Sequence, residues 1–175
     1  MDWYETVFEV IDMRSFSNLW YWIGIAVLWS SMSHWVLGVP FDIIQRARSD
    51  DGQAMIDLQD AVRLNVNRLL YISNVSGVLL MLFGSMGLTA LSIIAFVYWV
   101  EFAQALALML IPLTMIGFLS ISTAKKIRNR GLVGKPLIKA LTRHRLATQL
   151  IGFTAIFITA MFGMWRNLDI GPLSL

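Results

Sequence analysis

The sequence predicts an all-α fold: a polytopic bundle of four transmembrane helices, with an amphipathic cytoplasmic helix and a short N-terminal interfacial helix. Three observations predict it. Hydrophobic residues make up 57% of the 175 residues and the mean hydropathy is +0.66, above the roughly 45–50% apolar content of soluble domains. Charged residues are only 14%, against about 25% in an average soluble domain, and they cluster between long uncharged runs. Those runs are one or two bilayer thicknesses long, and Lys and Arg gather at every second junction between them.

Residues 3–13 place Trp3, Val7, Val10 and Ile11 at helical spacing with Glu5 and Glu9 between them, the pattern of a short helix lying in the interface. Asp2, Glu5, Glu9 and Asp12 with no Lys or Arg are the reverse of a signal peptide's basic start, so no cleavage is expected. Residues 19–39 carry no formal charge while His34 is neutral and form the first expected span, with Trp20, Tyr21, Trp22 and Trp35 at headgroup level. Ser15 or Ser17 is the expected cap, and Gly38 with Pro40 the expected stop. Residues 40–68 form a polar connection in which Ser49, Asp50, Asp51 and Gly52 make a turn. Beyond it Met55, Leu58, Val62, Val66 and Leu69 recur every three to four residues, an amphipathic helix feeding into the next span.

Residues 69–124 contain a single charged side chain, Glu101. One helix of that length would extend ~84 Å, nearly three hydrocarbon thicknesses, so the chain must fold back. A turn at Tyr98, Trp99, Val100 and Glu101 leaves spans over 69–96 and 102–122, with Pro112 as a kink in the second and Glu101 facing water. A basic connection over 123–145, interrupted by Gly131, Gly134 and Pro136, then leads into a fourth span over 146–165.

Twelve of the fourteen Lys and Arg fall in the two connections. The first holds Arg46, Arg48, Arg63 and Arg68; the second holds Lys125, Lys126, Arg128, Arg130, Lys135, Lys139, Arg143 and Arg145. The positive-inside rule places both in the cytoplasm and both termini outside. The eight basic residues of the second connection are the candidate contacts for anionic lipid headgroups, a better use of the net charge of +3 than nucleic acid.

Little in the chain commits it to a reaction. There is no cysteine, hence no disulfide, thiolate metal site or cysteine nucleophile. No phosphate-binding glycine loop, zinc-protease helix or nucleophile elbow occurs, and no charge lies mid-span to relay protons or sodium. An enzyme is not expected, and no metal site. The two histidines, His34 and His144, fall at similar depth, and imidazoles on facing helices can ligate haem iron or a pigment's magnesium. Against this, His34 has Ser30, Ser31 and Ser33 for company, and His144 belongs to a basic run. Asn74, Gln104 and Gln149 are amides suited to holding helices together. Small residues at four-residue spacing, Ser73 with Gly77, Ala103 with Ala107, and Ala155, Thr159 and Gly163, mark faces where helices can approach closely, within this chain or with a partner.

The opening MDWYETVFEVIDMRSFSNLWYW, followed by SHWVLGVPFD, VRLNVNRLLYI, VEFAQA and the RHR, IGF and IFITAMFGMW segments near the end, resembles a family of small alphaproteobacterial integral-membrane proteins of uncharacterised function. Members are sometimes given the automatic label "component of SufBCD complex", which would imply iron–sulfur cluster assembly. A chain with no cysteine and no nucleotide-binding loop departs from that role. What the resemblance implies is a setting, the inner membrane of a Gram-negative bacterium. The leading expectation is therefore a non-enzymatic accessory or scaffold subunit, meeting a membrane-protein partner or a second copy through its small-residue faces and the segment 53–67. A haem- or pigment-binding subunit using His34 and His144 is the alternative, and a small transporter or channel the third reading.

Overall fold

The computed structural model describes residues 15–49 and 52–169; the expected helix over 3–13 and the turn residues Asp50 and Asp51 lie outside them. A 3-10 turn (Ser15–Ser17) leads into α1 (Leu19–His34), a two-stranded hairpin of β1 (Trp35–Val36) and β2 (Val39–Pro40), then α2 (Phe41–Ser49), α3 (Gln53–Val75), α4 (Gly77–Phe96), α5 (Glu101–Arg130) and α6 (Gly134–Asp169). Three of these helices, α4, α5 and α6, are long and apolar enough to cross a membrane. The 16 residues of α1 extend ~24 Å, short of the ~20 residues a crossing takes. At 30 and 36 residues, α5 and α6 extend ~45 and ~54 Å, well beyond a ~30 Å hydrocarbon core.

The helix boundaries have local causes. Asn18, not either serine, caps α1: its side chain accepts the Trp20 N–H at 2.9 Å. The run expected as helical to Val39 stops at His34, because Leu37 (φ 52°) and Gly38 (φ 79°) are both left-handed and reverse the chain, as a two-residue hairpin turn requires. Trp35 pairs with Pro40 and Val36 with Val39. Gly38 is favoured on a second count, since a Cβ there would lie 2.8 Å from Asn65 Oδ1 and displace that side chain. The amphipathic pattern and the start of the second span form one helix, α3, which breaks only at Ser76, whose N–H still bonds to Ile72 O at 2.9 Å. The fold-back falls where the aromatic pair and Glu101 indicated, between Phe96 and Glu101. Gly131 in the left-handed region ends α5, and the Leu132 N–H returns to Ile127 O at 3.1 Å.

Packing is concentrated at the basic end. There Val36, Val39, Ile44, Met55, Leu58, Val62, Val66 and Leu70 meet Ala124 and Ile127 of α5 and Leu137, Ile138 and Leu141 of α6 in one buried cluster. The buried positions on α3, Met55, Leu58, Val62, Val66 and Leu70, form a single stripe. The apolar stripe of 53–67, a segment expected to meet a membrane partner, packs against this chain's own hairpin, α2, α5 and α6. Along the apolar lengths the bundle is thin. Trp29 and Ile25 of α1 pack with Ile116 and Ala155, and Ala95 packs with Ala103 and Ala107. On α4 only Ala95 is buried.

Candidate functional site: a cationic groove between α5 and α6

The small-residue faces come first, since they set how the helices approach. Ala103 and Ala107 are buried against Ala95 where α4 meets α5, and beside them the fully buried Gln104 donates to Ala95 O at 2.9 Å. Ala155, Thr159 and Gly163 are buried too, facing α1 and the 3-10 turn before it. A Cβ at Gly163 would fall 3.1 Å from the Phe16 ring, and one at Gly152 would fall 2.7 Å from Trp29 Cε3. Gly152 was not among the predicted faces; it lies eleven residues, three helical turns, before Gly163, and that spacing was the available signal. Ser73 and Gly77 behave otherwise, since the nearest atom to a Cβ at Gly77 is Ser73 Oγ itself, at 3.8 Å. That pair brings no second helix in.

At the end opposite the basic cluster, Glu101 does more than face water: its Oε1 accepts the Phe16 N–H at 3.0 Å, tying the start of α1 to the start of α5. Tyr21 donates to Ala105 O at 3.1 Å, Ser17 to Asn167 at 2.9 Å, and Arg166 stands over the Trp99 ring at 5.6 Å.

At the basic end the histidines part company. His34 is exposed, with its ring edge-on to Trp35 at 5.8 Å. His144 is buried between α5 and α6, with Nδ1 3.2 Å from Thr123 Oγ1 and its carbonyl accepting Thr148 Oγ1–H at 3.1 Å. It lies in the polar part of α6, ahead of the apolar run that starts at Leu146, and burial pushes its pKa below the ordinary 6.5. Among the described residues no group of three or more His, Asp or Glu could hold a metal ion. Asn74 is exposed, whereas Gln149 reaches across to Ser33 Oγ at 3.0 Å.

The eight basic residues of 123–145 are not equivalent. Arg145 is a clamp: its Nε donates to Ser33 O at 3.1 Å, and its guanidinium lies 3.7 Å from the centre of the Phe41 ring. This fixes the end of α1 and the start of α2 to α6. The other seven are all exposed, and Lys125, Arg128, Arg130 and Lys135 lie outside the groove between α5 and α6. Lys126 of α5 and Lys139 and Arg143 of α6 line a groove of about 500 Å³ whose walls include Ser122, Thr123 and His144. Lys139 and Arg143 also border a groove of about 460 Å³ on the α2 side, with Arg48 and Lys135, where Arg48 donates to Thr142 at 3.1 Å. The ion pairs found among the described residues, Arg46–Asp42 and Arg63–Asp60, lie on α2 and α3. From 102 to 168 the chain has no acidic residue; Glu101 and Asp169 stand at the other end of the α5–α6 hairpin, so no acid of the hairpin lies beside Lys126, Lys139 or Arg143. This cationic pocket at the mouth of an apolar helix pair suits a phosphate or carboxylate whose carrier is itself apolar.

Fold and composition together define an all-α membrane protein. Comparison with known proteins returned no match: no family model, no curated protein and no solved structure aligns with the chain.

Proposed function

We propose that the chain is a non-enzymatic accessory or scaffold subunit of a larger bacterial inner-membrane assembly, crossing the bilayer four times with both termini in the periplasm. The observation that carries the reading is α4, a helix of membrane-crossing length on which only Ala95 is buried. Gly84 and Gly87 on that helix have no atom within 4 Å of where a Cβ would sit. Glycine is a poor choice for a face turned to lipid alone, because it weakens the helix and buries nothing, whereas at a helix–helix contact it allows close approach. The α1–α6 and α4–α5 small-residue faces are occupied within the chain, which leaves α4 as the surface for a partner or a second copy.

Four crossings are supported by the two ends of α1. Its start is tied to Glu101 and Gly163, and its end to Arg145 and Gln149, so it runs the same depth as the apolar part of α6. The distribution of Lys and Arg supports a cytoplasmic basic end, and the family resemblance supports the inner membrane.

The test is site-specific photo-crosslinking in cells from Leu80, Met81 and Phe83, exposed positions that flank Gly84 and Gly87 on α4, with Phe153 on the exposed face of α6 as the comparison. A discrete protein adduct from the α4 positions, absent from Phe153 and lost in Gly84→Leu, is the expected result. Lipid adducts alone from all four positions would overturn the proposal.

A further inference from the structure

The cationic groove does not end at the membrane surface. Directly beneath it, the same two helices enclose an apolar groove of about 410 Å³ lined by Leu108, Pro112 and Met115 of α5 and Leu150, Thr154 and Ile158 of α6, among others. The two grooves occupy one face. On α5 the lining positions run 108, 111, 112, 115, then 119, 122, 123, 126; on α6 they run 136, 139, 140, 143, 144, 147, then 150, 151, 154, 155, 158. Steps of three and four keep residues on one side of a helix. The result is a single stripe between α5 and α6, cationic at one end and apolar beyond Leu119 and Ala147.

Its dimensions match one leaflet. From Lys126 to Pro112 is fourteen residues, ~21 Å along the axis, and half of a ~40–45 Å bilayer is ~20–22 Å from headgroup to chain end. Pro112 cannot bond to the Leu108 carbonyl, and a helix with that bond missing bends; both residues line the lower groove.

We propose that this stripe binds one anionic glycerophospholipid of the surrounding membrane. Its phosphate diester is held among Lys126, Lys139 and Arg143, and an acyl chain lies between α5 and α6 past Leu119 and Met115 toward Pro112. Three features favour this occupant over a soluble anion or an acidic peptide. The cations have no acid at their own end of the hairpin to pair with, the site opens at bilayer depth, and the part of the groove beyond the cations is apolar over the length of one lipid chain. Serine and threonine hydroxyls at Ser122 and Thr123 offer further donors to phosphate oxygens. The inference does not depend on the accessory-subunit reading.

Native mass spectrometry of the full chain released from phosphatidylcholine nanodiscs, with or without added phosphatidylglycerol, tests it. One phosphatidylglycerol retained per chain in preference to phosphatidylcholine is the expected result. The triple variant K126Q/K139Q/R143Q should weaken retention on the order of 100-fold, from about fivefold per basic residue near the surface. K125Q/R128Q/R130Q removes the same charge from the same stretch but outside the groove, and should retain the lipid within a few-fold. Thr154→Trp, which fills the apolar groove without touching the charge, should also weaken it. Equal loss in both triple variants would mean a diffuse surface potential and overturn the site. So would displacement by inorganic phosphate, or loss in R48Q/K135Q with K126Q unaffected, which would move the ligand to the α2 side.

Discussion

Replacing Gly152 by alanine should loosen α1 from α6, although in a helix interior the same change ordinarily stabilises. An ideal Cβ at this position falls 2.7 Å from Trp29 Cε3 and 3.3 Å from Cδ2 and Cζ3, whereas carbon atoms rest at about 3.5–4.0 Å. The indole cannot swing aside freely, because Trp29 is itself buried among Ile25, Ile116 and Ala155. Overpacking of this kind costs about 1–3 kcal/mol, against a gain of about 0.5–1 kcal/mol from the better helix former. The net expectation is a loss of about 1–2 kcal/mol. Gly84→Ala is the control, since nothing lies within 4 Å of its Cβ position and only the gain should appear. Stability in mixed micelles titrated with sodium dodecyl sulfate, read by far-ultraviolet circular dichroism, gives the ranking. A local reading comes from cysteines at Ser33 and Gln149, joined by a short bis-thiol cross-linker because the contact between Gln149 Nε2 and Ser33 Oγ at 3.0 Å spans a side chain longer than cysteine, in a chain with no native cysteine. Gly152→Ala should lower both the unfolding midpoint and the yield of that cross-link. If it proves as stable as Gly84→Ala with undiminished cross-linking, Trp29 does not seat on Gly152 and the α1–α6 packing described above is wrong.

Other expectations follow from single contacts. Arg145→Ala removes the bond to Ser33 O and the stack on Phe41, and should cost about 2 kcal/mol while raising protease access to the 35–40 hairpin; Arg145→Lys should recover only part. Glu101→Ala removes the acceptor of the Phe16 N–H and should cost about 1 kcal/mol, seen as faster hydrogen exchange at Phe16. His144 has a depressed pKa in the folded state, so its contribution is fully present above the unfolded value near 6.5 and is lost as the pH falls through the folded value. The unfolding midpoint should therefore drop on acidification below pH 6.5 in the native chain, and His144→Gln should flatten that part of the profile.

Much of this architecture could be read from the residue order because a bilayer imposes lengths. The turn before Glu101, the long apolar runs and the two basic connections follow from how far a helix can run uncharged. The stripe Met55, Leu58, Val62, Val66 was also legible, but not what covers it. Periodicity shows that a face is apolar and is silent on whether lipid, a partner or the chain's own α6 lies against it. The hairpin at Leu37 escaped because leucine at positive φ violates local preference, and Val36 and Val39, both buried in the basic-end cluster, hold the reversal in place. Gly152 escaped because its meaning lies in Trp29, more than a hundred residues away in sequence. The sorting of the basic residues was invisible for the same reason. Arg143, His144 and Arg145 are neighbours in the chain but point to a groove, a half-buried threonine and an aromatic ring, directions a helix of 3.6 residues per turn separates by about 100° each.

The buried cluster at the basic end joins residues 36–70 to residues 124–141, and this bears on the order of assembly. The first group is synthesised before α4 and α5 exist, so the stripe on α3 has only the hairpin and α2 for cover until the ends of α5 and α6 have been made. Apolar lengths in lipid gain nothing from the hydrophobic effect by meeting each other, whereas this cluster, at the polar ends of the helices, does. It is a clasp that cannot close until the start of α6 has been made.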